Sequence, residues 1–329
     1  MSLPLPQGRS SMREELGKPM KLRPSGFLSG SVKKRTIKHN LIALSFLSPW
    51  LIGFIGFVIG PMIYSFYLSF TNYNMLQEPT WVGLDNYIRI FTNDPLFITS
   101  LKVTLLFVVI SVPLKLLFAL FVAMLMNMGH RGSGFYTLLY YIPSIIGGSV
   151  AIAVIWRQIF GREGALNHVL GNFGIEGYNW FSHPDYAIWV LILLIVWQFG
   201  SPMVIFLAGL RQIPTELYEA ASVDGASRFK KFFSITIPLL TPVIFFNLVF
   251  QMINAFMTFT QAFLITQGGP VNKTLFYALY LYREAFTNYR MGYASALAWV
   301  LLVVIALATF LIFKSSKKWV YYESEGGKG

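Results

Sequence analysis

The chain has 329 residues, of which 55% are hydrophobic and only 12% are charged. Soluble domains carry about 25% charged residues, so the composition excludes an ordinary soluble protein and predicts an integral membrane protein with small polar parts. The net charge of +12 does not indicate nucleic-acid binding, since the cations cluster beside apolar segments. The absence of cysteine excludes disulfides and thiolate metal sites.

The N-terminal residues 1–38 are polar and hold nine of the 26 Lys and Arg residues. They lack the apolar core of a cleavable signal peptide. We predict a solvated cytoplasmic tail over 1–38, followed by a transmembrane domain over 39–329. Contact of the tail with anionic lipid is the alternative interpretation.

Six apolar segments follow the tail, and each reaches the ~20 residues that a helix needs to cross a bilayer. They lie at about 41–70, 103–127, 135–159, 187–210, 237–265 and 292–313. The sequence therefore predicts an all-α integral membrane fold with six transmembrane helices.

The distribution of Lys and Arg indicates the orientation. If both termini are cytoplasmic, 18 of the 26 cations lie in inside segments and seven in outside segments or at span edges. This bias favours a cytoplasmic N-terminus and a cytoplasmic C-terminus. It also puts the loop at about 211–238 inside, and leaves 71–102, 160–186 and 266–291 as the outer loops.

Lys115 is the one cation within a span, about twelve residues, or roughly 18 Å of helix, from either end. Such a charge should face the bundle interior, a watery path or a partner chain. If Lys115 faces the solute path, it would favour an anionic solute such as a uronate-containing saccharide. The alternatives are a lysine bonded to backbone carbonyls or packed against a partner subunit.

Polar side chains in the fourth and fifth segments are candidates for the solute path. In the fifth segment, spacings of four, three, four and three residues set them on one helical stripe: Asn247, Gln251, Asn254, Thr258 and Gln261. The fourth segment adds Trp197, Gln198 and Ser201, an aromatic face and polar groups of the kind that sugars use. The alternatives are hydrogen bonds between helices for the stripe and helix packing for Trp197.

The loop before the fifth segment has clear helix signals. Thr215 can cap a short helix, Gly225 permits a turn that a side chain would strain, and Ser227 can cap a second short helix. Glu216 suits the positive end of the first helix, and Pro238 suits the first turn of the following span. Three phenylalanines beside three cations over 228–233 also fit an amphipathic helix on the membrane surface, which is the alternative interpretation.

Other chemistry is missing from the sequence. It has no Gly-x-x-x-x-Gly-Lys run for ATP, and its four histidines are scattered as loop or interface residues: His39, His130, His168 and His183. The predicted spans contain no Asp or Glu, which disfavours an ion-coupled secondary transporter, the alternative of another class. A membrane enzyme is disfavoured because no catalytic constellation is present.

The same loop carries a family resemblance. Glu219-Ala220-Ala221, three residues, Gly225, nine residues and then Ile235-x-Ile237-Pro238 resembles the "EAA loop" of permease subunits of ATP-binding-cassette importers, with Ile237 in place of the usual Leu. Ile213-Pro214 and Asp224-Gly225-Ala226 look like the carbohydrate-uptake branch, the maltose-type permeases. The resemblance covers roughly residue 41 to the C-terminus.

The resemblance implies a type I importer permease that takes up a saccharide, most simply an oligosaccharide, and does no catalysis itself. Partners would be a second homologous permease, two ATPase subunits that hydrolyse ATP with Mg, and a solute-binding protein at the outer loops. This chain would hold no cofactor and would lie in the bacterial cytoplasmic membrane. ATPase coupling would fall to Glu219, Ala220, Ala221, Asp224 and Gly225, while an anionic saccharide or another polar solute remains an alternative cargo.

Overall fold

The computed structural model describes residues 45–129 and 132–321. The described residues divide between two compact units, one ending at Met62 and one beginning at Ile63. The predicted tail over 1–38, together with His39 and His130, lies outside the described residues. In the first unit, Trp50 and Phe54 stack one helical turn apart, with ring centroids separated by 5.1 Å.

The described residues form twelve helices and one short hairpin, joined by loops and turns. The helices are α1 Ser45–Leu68, α2 Asp85–Thr92, α3 Pro95–Asn127, α4 Ser133–Ile146, α5 Val150–Phe160, α6 Ala165–Asn172, α7 Ala187–Trp197, α8 Gly200–Gln212, α9 Thr215–Val223, α10 Arg228–Phe256, α11 Tyr277–Tyr282 and α12 Met291–Ser316. Strands β1 Thr71–Asn72 and β2 Thr80–Trp81 pair antiparallel. Single π-helical turns occupy Ile55–Ile59 and Phe232–Thr236 within α1 and α10, and Ala262–Thr266 and Arg283–Thr287 between helices.

Four of these helices, α1, α3, α10 and α12, are long and apolar enough to cross a membrane without interruption. Two bent pairs, α4 with α5–α6 and α7 with α8, qualify together, so the described residues contain up to six spans if each pair is one span. The predicted all-α integral membrane fold is confirmed in this form.

The prediction of a continuous third span over 135–159 is wrong. The chain bends by 96° between Ser133–Ile146 and Val150–Asn172. The break falls at Gly147-Gly148-Ser149, where Ser149 starts a new helix by accepting a hydrogen bond from the Ile152 N–H at 3.4 Å. Two glycines and a capping serine therefore outweigh the apolar character of the segment.

The fourth segment, predicted as one helix over 187–210, is also broken, with a bend of 43° between α7 and α8. Pro202 has no N–H to donate to the carbonyl of Gln198 one turn earlier. That carbonyl instead accepts a hydrogen bond of 3.0 Å from the Ser144 hydroxyl on α4. The bend is thus stabilised by a neighbouring helix.

The fifth segment differs from the predicted 237–265 at both ends. It starts at Arg228, so the expected second short helix and the span are one helix of 29 residues. The π turn Phe232–Thr236 leads into Pro238, which occupies the second position after it. At the other end the helix stops at Phe256, and Met257–Phe259 are not helical.

Helix α3 is the centre of the second unit, and α7, α8 and α10 pack around it. It begins at Pro95, eight residues before the predicted start at 103. Asp94 caps this end, because its Oδ1 accepts hydrogen bonds of 3.0 Å from the N–H groups of Leu96 and Phe97. The large side chains of Phe107, Phe206 and Phe256 are fully buried in this core. Helix α3 therefore presents one continuous face to three neighbouring helices.

Candidate solute cavity and coupling loop

A cavity of about 320 Å³ lies within the second unit where α3, α4, α7, α8 and α10 meet. Most of its lining is polar but uncharged: Ser144, Gln198, Ser201, Gln251, Asn254, Thr258, Thr260 and Gln261. Phe250 and Phe259 add aromatic surface. The cavity can therefore offer hydrogen bonds to hydroxyl groups and apolar faces to sugar rings.

Seven residues predicted for the solute path line this cavity: Lys115, Gln198, Ser201, Gln251, Asn254, Thr258 and Gln261. They come from three segments that are far apart in the sequence, the second, the fourth and the fifth. The expectation of a continuous stripe over the fifth segment holds only as far as Asn254, because the helix ends at Phe256. Thr258 and Gln261 reach the cavity from the non-helical stretch and the turn that follow it.

Lys115 and Gln251 form the contact between α3 and α10 at this cavity. The ammonium of Lys115 donates to the Gln251 side-chain oxygen at 2.9 Å. Both side chains also belong to the cavity lining. Of the alternatives posed for Lys115, the structure therefore supports a position at the bundle interior, with an amide of the same chain as its partner.

Gln198 is held by the two bent spans. Its amide nitrogen donates to the carbonyls of Leu194 and Gly147 at 3.3 and 3.4 Å. A side chain at Gly147 would overlap the Gln198 side chain, so this glycine is needed for the close approach. With the nitrogen engaged, the Gln198 oxygen can still accept a hydrogen bond.

Ser144 is a site residue that sequence reasoning missed. Its hydroxyl donates to the Gln198 carbonyl and accepts from the Ser201 N–H at 2.8 Å. A single serine after Pro143 in an apolar segment is a weak signal. Its importance depends on the bend in the fourth span, which was not predicted.

Two predicted path residues lie outside the cavity lining. Asn247 is fully buried, and neither polar atom of its amide has a hydrogen-bond partner among the described residues. Trp197 packs against Trp156 with ring centroids 5.6 Å apart, which agrees with the alternative interpretation that Trp197 serves helix packing. Neither residue contacts the cavity in this conformation.

The structure gives no support for a metal centre in the part of the chain that it describes. No group of three or more His, Cys, Asp or Glu side chains is placed to hold an ion there. His183 stacks on Tyr186 with centroids 4.5 Å apart and lies 3.9 Å from Asp185. It is therefore a loop residue packed among aromatic neighbours.

The coupling loop, residues 211–238, contains α9 and the start of α10. The expected cap at Thr215 is wrong, because Pro214 holds the cap position and Thr215 is the first helical residue. Pro214 has no side-chain acceptor, so this helix start is not capped by a side chain. Glu216 lies in the first turn, as predicted, and Ser227 caps α10 by accepting from the Lys230 N–H at 3.3 Å.

Gly225 forms the turn between the two helices with a φ of +73°, a conformation that strains any residue with a side chain. The turn ends α9 by two hydrogen bonds, from Gly225 N–H to the Ser222 carbonyl at 3.1 Å and from Ala226 N–H to the Ala221 carbonyl at 2.9 Å. This is the helix C-terminal pattern in which glycine is most favoured.

The outer surface of the coupling loop combines polar and apolar side chains. Glu219, Ala220 and Asp224 are exposed, and Ala221 is half-buried. Beside them, Val223 and Phe229 are 89% and 79% exposed. Apolar side chains this exposed, next to a rigid turn, are typical of a surface that binds another protein.

Two contacts tie α9 to α10 behind this surface. The hydroxyls of Tyr218 and Thr236 share a hydrogen bond of 2.9 Å, and the Lys231 ammonium donates to the Ser222 hydroxyl at 2.5 Å. Sequence reasoning missed both pairs. The paired residues are 18 and nine positions apart, and no helical spacing marks them in the sequence.

Comparison with known proteins identifies similar chains that are named as transport permeases. The chain is 53% identical over 297 residues to the probable ABC transporter permease protein YesP of Bacillus subtilis, covering 89% of this chain and 96% of that protein. It is 34% identical to the arabinooligosaccharides transport system permease protein AraP of the same organism, covering 82% and 87%.

Among solved structures, a bacterial alginate ABC transporter in complex with an alginate pentasaccharide-bound periplasmic protein matches with a TM-score of 0.75. The identity is 23%, and the match covers 86% of this chain and 96% of that one, so the likeness establishes the fold. The model of one family matches residues 84–320. The chain belongs to this family, the binding-protein-dependent transport system inner membrane components.

Proposed function

We propose that this chain is a permease subunit of an ATP-driven importer that takes up a saccharide. The observation that carries the proposal is the cavity between the spans, whose lining combines uncharged hydrogen-bonding groups with two phenylalanine rings. The hydroxyls of a saccharide match the hydrogen-bonding groups of the lining, and the apolar faces of its rings match the phenylalanine rings. The name of AraP, which refers to arabinooligosaccharides, supports the same class of solute.

The proposed assembly contains a second, related permease, two ATPase subunits and an external solute-binding protein. The alginate transporter is described as a complex with a periplasmic protein, and this supports the last of these partners. ATP and Mg would bind to the ATPases, and this chain would do no catalysis. The membrane would be the bacterial cytoplasmic membrane, with both termini inside, as the Lys and Arg bias favours.

In this proposal the exposed surface of α9, with Glu219 as its polar anchor, binds an ATPase subunit. Movement of the ATPase would pass through the hydrogen bond between Tyr218 and Thr236 into α10. Helix α10 runs without interruption from Arg228 to Phe256, so about 35 Å of helix separates Arg228, within the coupling loop, from Gln251. A push at one end would therefore move the cavity wall at the other.

The proposal is tested by purifying the tagged chain in mild detergent from its native membrane and identifying the proteins that accompany it. We expect a second permease and an ATPase. The recovered complex, reconstituted in liposomes with its solute-binding protein, should accumulate radiolabelled oligosaccharide only when ATP is supplied.

An ion-coupled secondary transporter predicts a different outcome. The purified single chain would then move solute without ATP, and a proton or sodium gradient would drive the flux. Helices α3, α10 and α12 contain no Asp or Glu, which disfavours this mechanism. Gradient-driven uptake by the chain alone would overturn the importer proposal.

A further inference from the structure

Lys115 stands out among the described residues that line the cavity, because it is the one charged side chain in that lining. It lies twelve residues before the end of α3 at Asn127, about 18 Å along the helix. A lysine at this depth cannot extend its ammonium to the membrane surface without strain. Its charge therefore belongs to the cavity.

The partner of Lys115 leaves this charge uncompensated. The Gln251 oxygen accepts one hydrogen bond at 2.9 Å, but an amide carries no net charge. An ammonium has three donors, so two remain for another group. Within the part of the chain that the structure describes, no carboxylate forms a salt bridge with Lys115.

An unpaired charge away from bulk water is costly, and an anion placed beside it removes much of this cost. Such an anion cannot come from the described lining, which contains no Asp or Glu. A carboxylate on the solute can supply the charge and accept the two remaining N–H groups of Lys115.

We propose that the cavity selects saccharides that carry a carboxylate, and that Lys115 binds this carboxylate. The inference rests on the proposed function and names its substrate class. Gln251 acts as a positioning residue, because its side-chain oxygen holds the ammonium toward the cavity. The free oxygen of Gln198 and the side chains of Asn254 and Thr258 remain for the hydroxyls of the same sugar.

The test uses the intact importer and two probes, trigalacturonate and its carboxyl-reduced counterpart, trigalactose. Binding to the detergent-purified importer is measured without the binding protein, so that the selectivity of that protein does not enter. We expect wild type to bind trigalacturonate more tightly. Lys115→Gln should weaken binding of trigalacturonate ~10- to 100-fold, as expected for a lost charged hydrogen bond, and leave trigalactose binding unchanged.

Two further variants separate charge from packing. Lys115→Arg should keep the preference for trigalacturonate, whereas Gln251→Glu should abolish it, because a fixed carboxylate would neutralise Lys115. Lys102→Gln is the matched control, since it removes the same charge from an exposed position on the same helix. Assembly is checked by size-exclusion chromatography for every variant.

Equal loss of both probes in Lys115→Gln, or no preference for trigalacturonate in wild type, would overturn the inference while leaving the importer proposal intact. If the preference persists in Gln251→Glu, the carboxylate does not bind at Lys115 and the inference is also wrong. If wild-type importer takes up neither these probes nor any other saccharide, the saccharide assignment itself fails.

Discussion

The cavity and the coupling loop of this permease are built in opposite ways. The cavity collects Lys115 and Gln251 from two helices and Gln198 from the break between α7 and α8, and the three are distant in sequence. The coupling loop keeps its key residues within one stretch, Glu219–Gly225, and turns several of them outward. One region needs the whole fold to exist, whereas the other needs only a helix, a turn and a place at the surface.

The two regions should therefore be vulnerable to different changes. A change in the loop should act through the contact with a partner and leave the cavity intact. A change at the cavity should alter the response to solute and leave partner binding intact. Substitutions in each region can establish whether the two functions separate in this way.

The largest effect is expected for Gly225→Asp. The φ of +73° and the added charge beside Asp224 would both disturb the turn that sets α9 against α10. We expect the subunit to insert into the membrane normally, transport to fall to background, and ATP hydrolysis to lose its response to solute. Uptake and ATPase assays on the reconstituted importer measure the transport and the response of ATP hydrolysis to solute.

Gly174→Asp is the matched control for this change. Gly174 has nearly the same φ, +72°, and lies in a predicted outer loop; as at Gly225, no atom lies within 4 Å of the position that a Cβ would take. If the two variants impair transport equally, backbone strain explains the loss and the coupling assignment is wrong. Normal transport in Gly225→Asp would contradict it as well.

The next effect is expected at the cavity, for Gly147→Ala. A methyl group there would occupy the space of the Gln198 side chain and displace the acceptor that faces the solute. We expect the concentration of saccharide at half-maximal uptake to rise ~10-fold, the equivalent of one hydrogen bond, while basal ATP hydrolysis is unchanged.

Gly148→Ala is the control in this case, because no atom lies within 4 Å of the position that its methyl group would take. It makes the same chemical change one residue later, at the same break in the third span. A similar loss in both variants would mean that the break itself, rather than Gln198, sets the affinity.

The same contrast explains which features were predictable. The helix–Gly225–helix arrangement and the cap at Ser227 follow from neighbouring residues, so the local sequence contains the needed information. The six apolar segments were predictable because the bilayer imposes their length. Breaks at Gly147–Ser149 and before Pro202 were missed, since hydropathy averages over the few residues that bend a helix.

The cavity was predictable only as a list of candidates. The spacing of Asn247, Gln251 and Asn254 identifies one polar face of a helix, but not how far the cavity extends along it. Burial of Asn247 and packing of Trp197 against Trp156 depend on neighbours supplied by other spans. Tertiary contacts, which no single segment encodes, decide these cases.

A smaller effect is expected for Asn247→Leu, which tests the buried end of the polar stripe. The amide of Asn247 is buried without a hydrogen-bond partner among the described residues, which costs ~1–3 kcal/mol. Leucine has a similar shape and no polar atoms. We therefore expect the thermal unfolding temperature of the detergent-purified importer to rise.

Transport gives the second measurement on Asn247→Leu. If the stripe lines the path in another conformation, uptake should fall although the protein is more stable. A stabilised variant with full uptake would show that Asn247 has no role in the path. A destabilised variant would contradict the assignment of an unsatisfied amide, and Val243→Leu on the same helix provides a control for added apolar volume.

The smallest effect is expected for Tyr218→Phe, which removes one hydroxyl from the link between α9 and α10. The lost hydrogen bond to Thr236, 2.9 Å long, is worth ~0.5–1.5 kcal/mol. We expect fewer saccharide molecules to be imported per ATP hydrolysed, because movement of α9 would be passed less fully to α10. Binding of the ATPase subunit should not change, since this hydroxyl faces away from the exposed surface.

Thr236→Val completes the experiment as a double-mutant cycle with Tyr218→Phe. If the two hydroxyls act through their shared hydrogen bond, the double variant should be no more impaired than either single variant. Additive losses would mean that each hydroxyl acts separately, and the link between the loop and the cavity would then have to lie elsewhere, with the contact of Lys231 and Ser222 as the next to test. This cycle decides whether the coupling loop and the cavity are joined by a named contact or only by the stiffness of α10.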